Sequence, residues 1–443
     1  MSTRMSFWLA VLILLIAAGL RLWQLIEIPP GLHAVEITDI RIADDIRRGQ
    51  VEVFYNLGDE GREGLYHMVL AAVTAVLGSG MIGYHILSVW AGLLTLALVY
   101  ALAARLYGPL PGVAALGLLA VAMFPIILSR TISREVFVPM LVAGAMLAIA
   151  RAFPVYQQDR RHRPPTTIPF AALGVVLGLA FYTHPVGFAI TLFSVAFIIY
   201  MLLSRQPMGR RTLNYTSFAV LVMIIIIMPY LLSSIRQPNL GGAQRLLDSY
   251  NQSVRPLLET LWAAVSGIFF VGDQNPAYNL PGRPLIDLIS GFLVVIGIVT
   301  AVRYWRLPRY ALPLIAAVAL LPSVLLARNS PYFPSYSALL PLLALFFAVG
   351  IKNHLQQPAP HDANRWRCWR GHPAGSQPCL DCPRLFHHLG TVAGDARGLQ
   401  RVSAIANYVD RTADLHSDGD LRAVAQSLPI RISKTRTPRS CCK

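Results

Sequence analysis

Charge is scarce in this chain. Only 14% of its 443 residues are Asp, Glu, Lys or Arg, against about 25% in an ordinary soluble domain. With 55% hydrophobic residues and a mean hydropathy of +0.53, a soluble globular protein is excluded. Cysteine is missing from the first 367 residues: the five are Cys368, Cys379, Cys382, Cys441 and Cys442. No disulfide can therefore form within the hydrophobic part. Nucleotide-binding signals are absent too, with neither a Walker A sequence nor a Gly-x-Gly-x-x-Gly following a strand. A transferred group would then come from a lipid carrier rather than a cytosolic nucleotide. The formal net charge of +16, from 38 basic and 22 acidic residues, is the excess that membrane proteins place in cytoplasmic loops, not a sign of nucleic-acid binding.

What is present is a series of long apolar runs. They predict an all-helical, polytopic membrane protein of about 10 spans, near 6–25, 84–104, 111–128, 135–152, 168–183, 186–203, 214–234, 285–302, 311–327 and 338–351, for a bilayer that takes about 20 residues per helix. The first run reads as an uncleaved span rather than a signal peptide, with Arg21-Leu22-Trp23 as an interfacial anchor. The stretch 65–77 is too short for an ordinary span. If it lies on the surface as an amphipathic or re-entrant helix, Arg105, residues 151–163, Arg205, Arg210, Arg211, Arg303, Arg306 and Arg309 all fall on one side. That side is cytoplasmic by the positive-inside rule. Five segments then share the outer face: the 26–83 loop, residues 129–135, the Thr183-His184-Pro185 turn, the 235–284 loop and residues 328–337.

The polar residues suited to chemistry gather on that face. Glu36 follows Pro29-Pro30-Gly31 and opens an expected surface helix, 37–48. A helix N-terminus favours a negative charge, and an ionised carboxylate can act as a base. Asp39 lies one turn later, on nearly the same face. The alternative is a solvated acidic face balancing Arg41, Arg47 and Arg48. Arg130 could hold a phosphate bidentately, with Arg134 one turn on, or could snorkel to headgroups. His67 and His184 are isolated histidines at segment ends. Tyr66, Tyr182, Tyr332 and Tyr336 fit an aromatic belt. No ligand set indicates a metal in this region, although a divalent ion remains compatible.

Three motifs carry a resemblance. They are Pro29-Pro30-Gly31-Leu32-His33-x-x-Glu36 after the first span, Gly61-Arg62-Glu63-Gly64-Leu65-Tyr66-His67, and Ser129-Arg130; Gly272-Asp273-Gln274-Asn275-Pro276 with Asn279-Leu280-Pro281-Gly282 adds to them. Over about residues 1–350 the chain resembles the GT-C membrane glycosyltransferases, in the branch of the protein O-mannosyltransferases and lipid A aminoarabinose transferases. The resemblance implies a GT-C domain over residues 1–352, with a catalytic first external loop (26–83) and a long external loop (235–284). It implies a polyprenyl-phosphate sugar donor, and a lipid, glycan or protein acceptor on the outer face of the plasma membrane. Glu36 would be the base with Asp39 as deputy, and Arg130 and Arg134 would bind the donor phosphate. Glu63, Tyr66, His67 and His184 would line the substrate cleft. The family's motif has an acid where this chain has Val35, which cannot accept a proton. A non-catalytic relative therefore stays open, as does a transporter or lipid flippase. The nearly charge-free span interiors favour surface chemistry over transport, which places ionisable groups near the bilayer midplane.

After Lys352 the composition changes. Residues 353–443 hold 13 Lys or Arg, seven Asp, no Glu and every cysteine. This stretch reads as disordered or as the product of a shifted reading frame. A zinc knuckle from Cys368, His372, Cys379, Cys382 and His387 is the rival, supported by a single Cys-x-x-Cys pair.

Overall fold

The computed structural model describes residues 3–28, 31–57, 60–155, 166–204, 209–237, 257–325 and 331–355. These belong to the first of two compact units, 1–360. The expectations for the tail, zinc included, fall on residues outside the described ones.

The fold is helical, as its apolar runs require. α1 (Thr3–Leu22) leads to a short surface helix, α2 (Ala34–Arg47). A two-stranded antiparallel hairpin follows, β1 (Phe54–Leu57) with β2 (Glu60–Glu63), Phe54 opposite Glu63. α3 (Leu65–Leu77) has 13 residues, the short helix expected there. Then come α4 (Met81–Tyr107), α5 (Pro109–Val121), α6 (Met123–Arg130), α7 (Phe137–Ala152), α8 (Thr167–Phe181), α9 (Gly187–Leu203), α10 (Arg210–Arg236), α11 (Leu257–Phe269), α12 (Leu288–Arg303), α13 (Pro308–Leu325) and α14 (Leu340–Leu355). Six helical segments are long and apolar enough to cross a membrane, seven if α5 and α6 count as one broken span. α8, α9 and α12 are shorter apolar helices of 10–17 residues. The protein is an integral membrane protein. Its spans sort by environment: the segment 134–152 is 78% buried, whereas α10 is 17% buried and turns Leu221 and Ile225 outward, as a lipid-facing helix does.

The predicted span 111–128 is bent by 62° between α5 and α6. Pro125 lacks the N–H that would continue the helix, and the break leaves carbonyls of α5 without helical partners. Arg21 supplies them. Its guanidinium donates to the carbonyls of Leu119 (3.4 Å) and Ala120 (3.3 Å), to Ala17 (3.2 Å) and to the Ser129 hydroxyl (3.0 Å). Arg21 is 1% exposed. It is not the interfacial anchor expected from its place beside Trp23, because the broken helix behind it offers acceptors that the headgroups would otherwise supply.

Hydrogen bonds divide the molecule into two polar ends. At one end the Ser6 hydroxyl donates to the Pro109 carbonyl, Arg105 to the Ala150 carbonyl, Tyr107 to Arg309, and Tyr200 to Arg306. This gathers the arginine-bearing ends as the charge pattern requires. The other end collects residues 20–28, α2, the hairpin, α3 and the turns after α6 and α8. The 272–283 loop is tied there to residue 333, since Asp273 accepts from the Asn275 and Phe333 N–H groups, both at 2.9 Å.

Candidate active site

Glu36 sits at N3 of α2, 3% exposed. Its Oε2 accepts the His33 N–H (2.9 Å), closing a capping box. Its Oε1 accepts the Ile132 N–H (2.9 Å), tying α2 to the turn after α6. Both oxygens are thus engaged by backbone.

Asp39, one turn later, is fully buried. Its Oδ1 accepts from the Arg62 guanidinium and from His67 Nε2 (2.9 Å). Its Oδ2 is buried and has no hydrogen-bond partner among the described residues. The hairpin and α3 deliver these two side chains. Arg62 and Glu63 stand on β2, and Nδ1 of His67 lies 3.0 Å from the Glu63 carbonyl oxygen. The Glu63 carboxylate pairs with Arg134 at 2.7 Å. Arg134 lies 3.6 Å from Glu135, which accepts from the Ser133 hydroxyl. Such pairing is what allows charges to be buried. Tyr66 packs edge-on to His67 and to Phe137, its hydroxyl 3.3 Å from the Ser88 Oγ. Burial, aided by the Asp39 charge, pushes the Tyr66 phenol above its ordinary value.

Two further elements close on this network. The Leu65 N–H donates to the Tyr182 carbonyl (3.0 Å), which brings in the turn after α8. There His184 accepts the Val186 N–H (3.2 Å) and lies within electrostatic reach of Glu135. From the 272–283 loop, Tyr278 packs edge-on to Tyr332. Burial, with the charges of Glu135 and Glu36, raises its phenol to about 12.

The structure therefore joins Asp39, Glu63, Tyr66, His67 and Arg134 in one network, with Glu36 tied to its edge and His184 beside it. Arg130 is elsewhere. Its guanidinium donates to the carbonyls of Leu20 (3.1 Å), Arg21 (3.1 Å), Gln24 (2.9 Å) and Ile28 (3.1 and 2.8 Å), capping the end of α1. Arg62, Glu135 and Tyr278 are site residues that the sequence reading did not single out. Arg62 was legible within its motif. Nothing in the local sequence separates Tyr278 from the other surface tyrosines. Among the described residues, no group of three or more His, Cys, Asp or Glu is arranged to hold a metal ion.

These features define a polytopic helical membrane protein with a buried ionic network at one membrane face. Residues 65–232 match the family model described as dolichyl-phosphate-mannose-protein mannosyltransferase. Among solved structures, the chain is similar to ArnT from Cupriavidus metallidurans bound to undecaprenyl phosphate, at 16% identity and TM-score 0.54, covering 82% of this chain and 61% of that one. It is also similar to the archaeal oligosaccharyltransferase AglB from Archaeoglobus fulgidus in complex with an inhibitory peptide and a dolichol-phosphate, at 13% identity and TM-score 0.54, covering 89% of this chain and 54% of that one. No curated protein matches its sequence. The family model covers fewer than half of the chain's residues, and the solved structures share its fold; the chain spans 61% and 54% of those two structures' chains.

Proposed function

We propose that the protein transfers a sugar from a polyprenyl-phosphate donor to a hydroxyl of a lipid, glycan or protein acceptor, on the outer face of the plasma membrane. The observation that carries the reading is the buried Asp39 carboxylate, which meets Arg62 and His67 through Oδ1 while its Oδ2 has no hydrogen-bond partner among the described residues. Glu36, the first candidate on sequence grounds, has both oxygens committed to backbone N–H groups, so Asp39 is the base. Arg62 and His67 lie against its Oδ1, and a carboxylate in reach of the acceptor hydroxyl can take its proton as the transition state forms. In that step the acceptor oxygen bonds to the anomeric carbon, its proton passes to Asp39, and the bond to the donor phosphate breaks, leaving polyprenyl phosphate. Charge building on the departing phosphate needs fixed cations. Arg134 and Arg62 supply them, while Arg130 positions the end of α1. Glu63 orients Arg134, and Tyr66, His67 and His184 shape the cleft.

The test is sugar transfer by the purified, detergent-solubilised protein with a panel of polyprenyl-phosphate sugars. Release of polyprenyl phosphate from at least one donor is expected. Folded protein that retains polyprenyl phosphate but releases none from any donor would instead make this a non-catalytic lipid-binding relative, the reading that Val35 favours.

A further inference from the structure

The end opposite the ionic network is basic. Arg4, Arg151, Arg210, Arg211, Arg303 and Arg306 are exposed there. The described residues of the turns that close it, 105–109, 151–155, 209–211 and 303–309, include no Asp or Glu. The turn between α12 and α13 is held by side-chain hydrogen bonds. The Tyr200 hydroxyl donates to the carbonyls of Trp305 (3.3 Å) and Arg306 (2.8 Å). The Tyr107 hydroxyl donates to the Arg309 carbonyl (2.9 Å), and its ring stacks on Tyr310. On this aromatic floor the Arg306 guanidinium lies 5.8 Å above the Trp305 ring, and Trp305 is 53% exposed. Neither Arg303 nor Arg306 has a carboxylate partner among the described residues.

We propose that the 303–309 turn is a docking surface for anionic phospholipid headgroups of the adjoining leaflet. Arg303 and Arg306 contact the phosphodiester, and Trp305 anchors the turn at headgroup depth. An exposed tryptophan at the end of an apolar helix belongs at the membrane interface. Guanidinium groups pair with phosphate oxygens bidentately, and a turn already held by tyrosine hydroxyls loses little freedom on binding. With no carboxylate partner among the described residues, Arg303 and Arg306 direct their charge at the lipid. Each basic residue near an anionic surface adds about fivefold to its attraction.

The full chain in detergent, titrated with phosphatidylglycerol or phosphatidylcholine and read by native mass spectrometry, tests this. The wild type is expected to retain phosphatidylglycerol preferentially. Arg303→Gln with Arg306→Gln should cut that preference on the order of tenfold or more, and the paired lysine substitutions should restore most of it. Arg236→Gln, at the opposite end of the fold, should change nothing. Equal retention of the two lipids overturns the proposal, and so does a preference that survives the glutamine substitutions. Displacement of the lipid by millimolar inorganic phosphate would reassign the turn as a free-anion site and overturn it equally.

Discussion

Two carboxylates one helical turn apart in α2 do different work. Glu36 is held by two backbone N–H groups, while Asp39 is held by the Arg62 and His67 side chains and keeps one oxygen open. Sequence spacing placed both on one face of a helix and could not rank them. The ranking depends on what Ile132, Arg62 and His67 bring from distant segments. Arg130 is a similar case. A Ser-Arg at a span end points equally to phosphate binding and to structure, and only the geometry shows it capping α1. Arg130→Ala leaves four carbonyls of α1 and its following turn without these donors, and each lost hydrogen bond costs about 0.5–1.5 kcal/mol. The expected result is a clearly lowered unfolding temperature; an unchanged one with a raised KM for donor would return Arg130 to the phosphate site. Asp287 gives a prediction with a sign in pH. It caps α12 by accepting the Ser290 N–H (3.0 Å), and that bond holds its carboxyl below the ordinary value of 3.8. A depressed carboxylate stabilises above its unfolded value, and the stabilisation is lost as pH falls through the folded one. Asp287→Ala should cost about 1 kcal/mol at pH 7 and progressively less below pH 4. Equal destabilisation at pH 7 and pH 3 would show that the cap does not act through its charge.

The elements were legible where a single period governs a long run. α3 ends at Leu77 as expected, and the positive-inside argument put its polar neighbours at one end, where hydrogen bonding now gathers them. The β1–β2 hairpin was not legible, because strands of four residues offer too few positions for an alternating pattern to show. Yet β2 carries Arg62 and Glu63, two residues of the network. The break between α5 and α6 was missed for a different reason. Apolar content continues through it, so hydropathy reads one span where Pro125 and Arg21 make two helices. Helix contacts depend on equally small signals. A side chain at Gly297 would drive its Cβ into the Phe346 carbonyl oxygen, and one at Gly350 would meet the Leu293 carbonyl. Small residues allow such close approach between membrane helices. Gly297→Val should therefore force α12 away from α14 and lower thermal stability by about 2 kcal/mol or more, read as loss of monodisperse protein in detergent on heating. Unchanged behaviour would mean that the α12–α14 contact tolerates separation.

At the scale of the whole molecule, charge sorts by end: a network of acidic and basic side chains at one, and at the other Arg303 and Arg306, which have no carboxylate partner among the described residues. The central claim is that the first end performs transfer and that Asp39, not Glu36, is its base. The most direct measurement is single-turnover release of polyprenyl phosphate by wild type, Asp39→Asn and Glu36→Gln, each shown to be folded. The account predicts that Asp39→Asn lowers the rate by about 10² or more, within the usual range for a general base. Glu36→Gln should act mainly on stability, since it disturbs a cap and the link to Ile132. The reverse order, with Glu36→Gln inactive and Asp39→Asn near wild type, would contradict it.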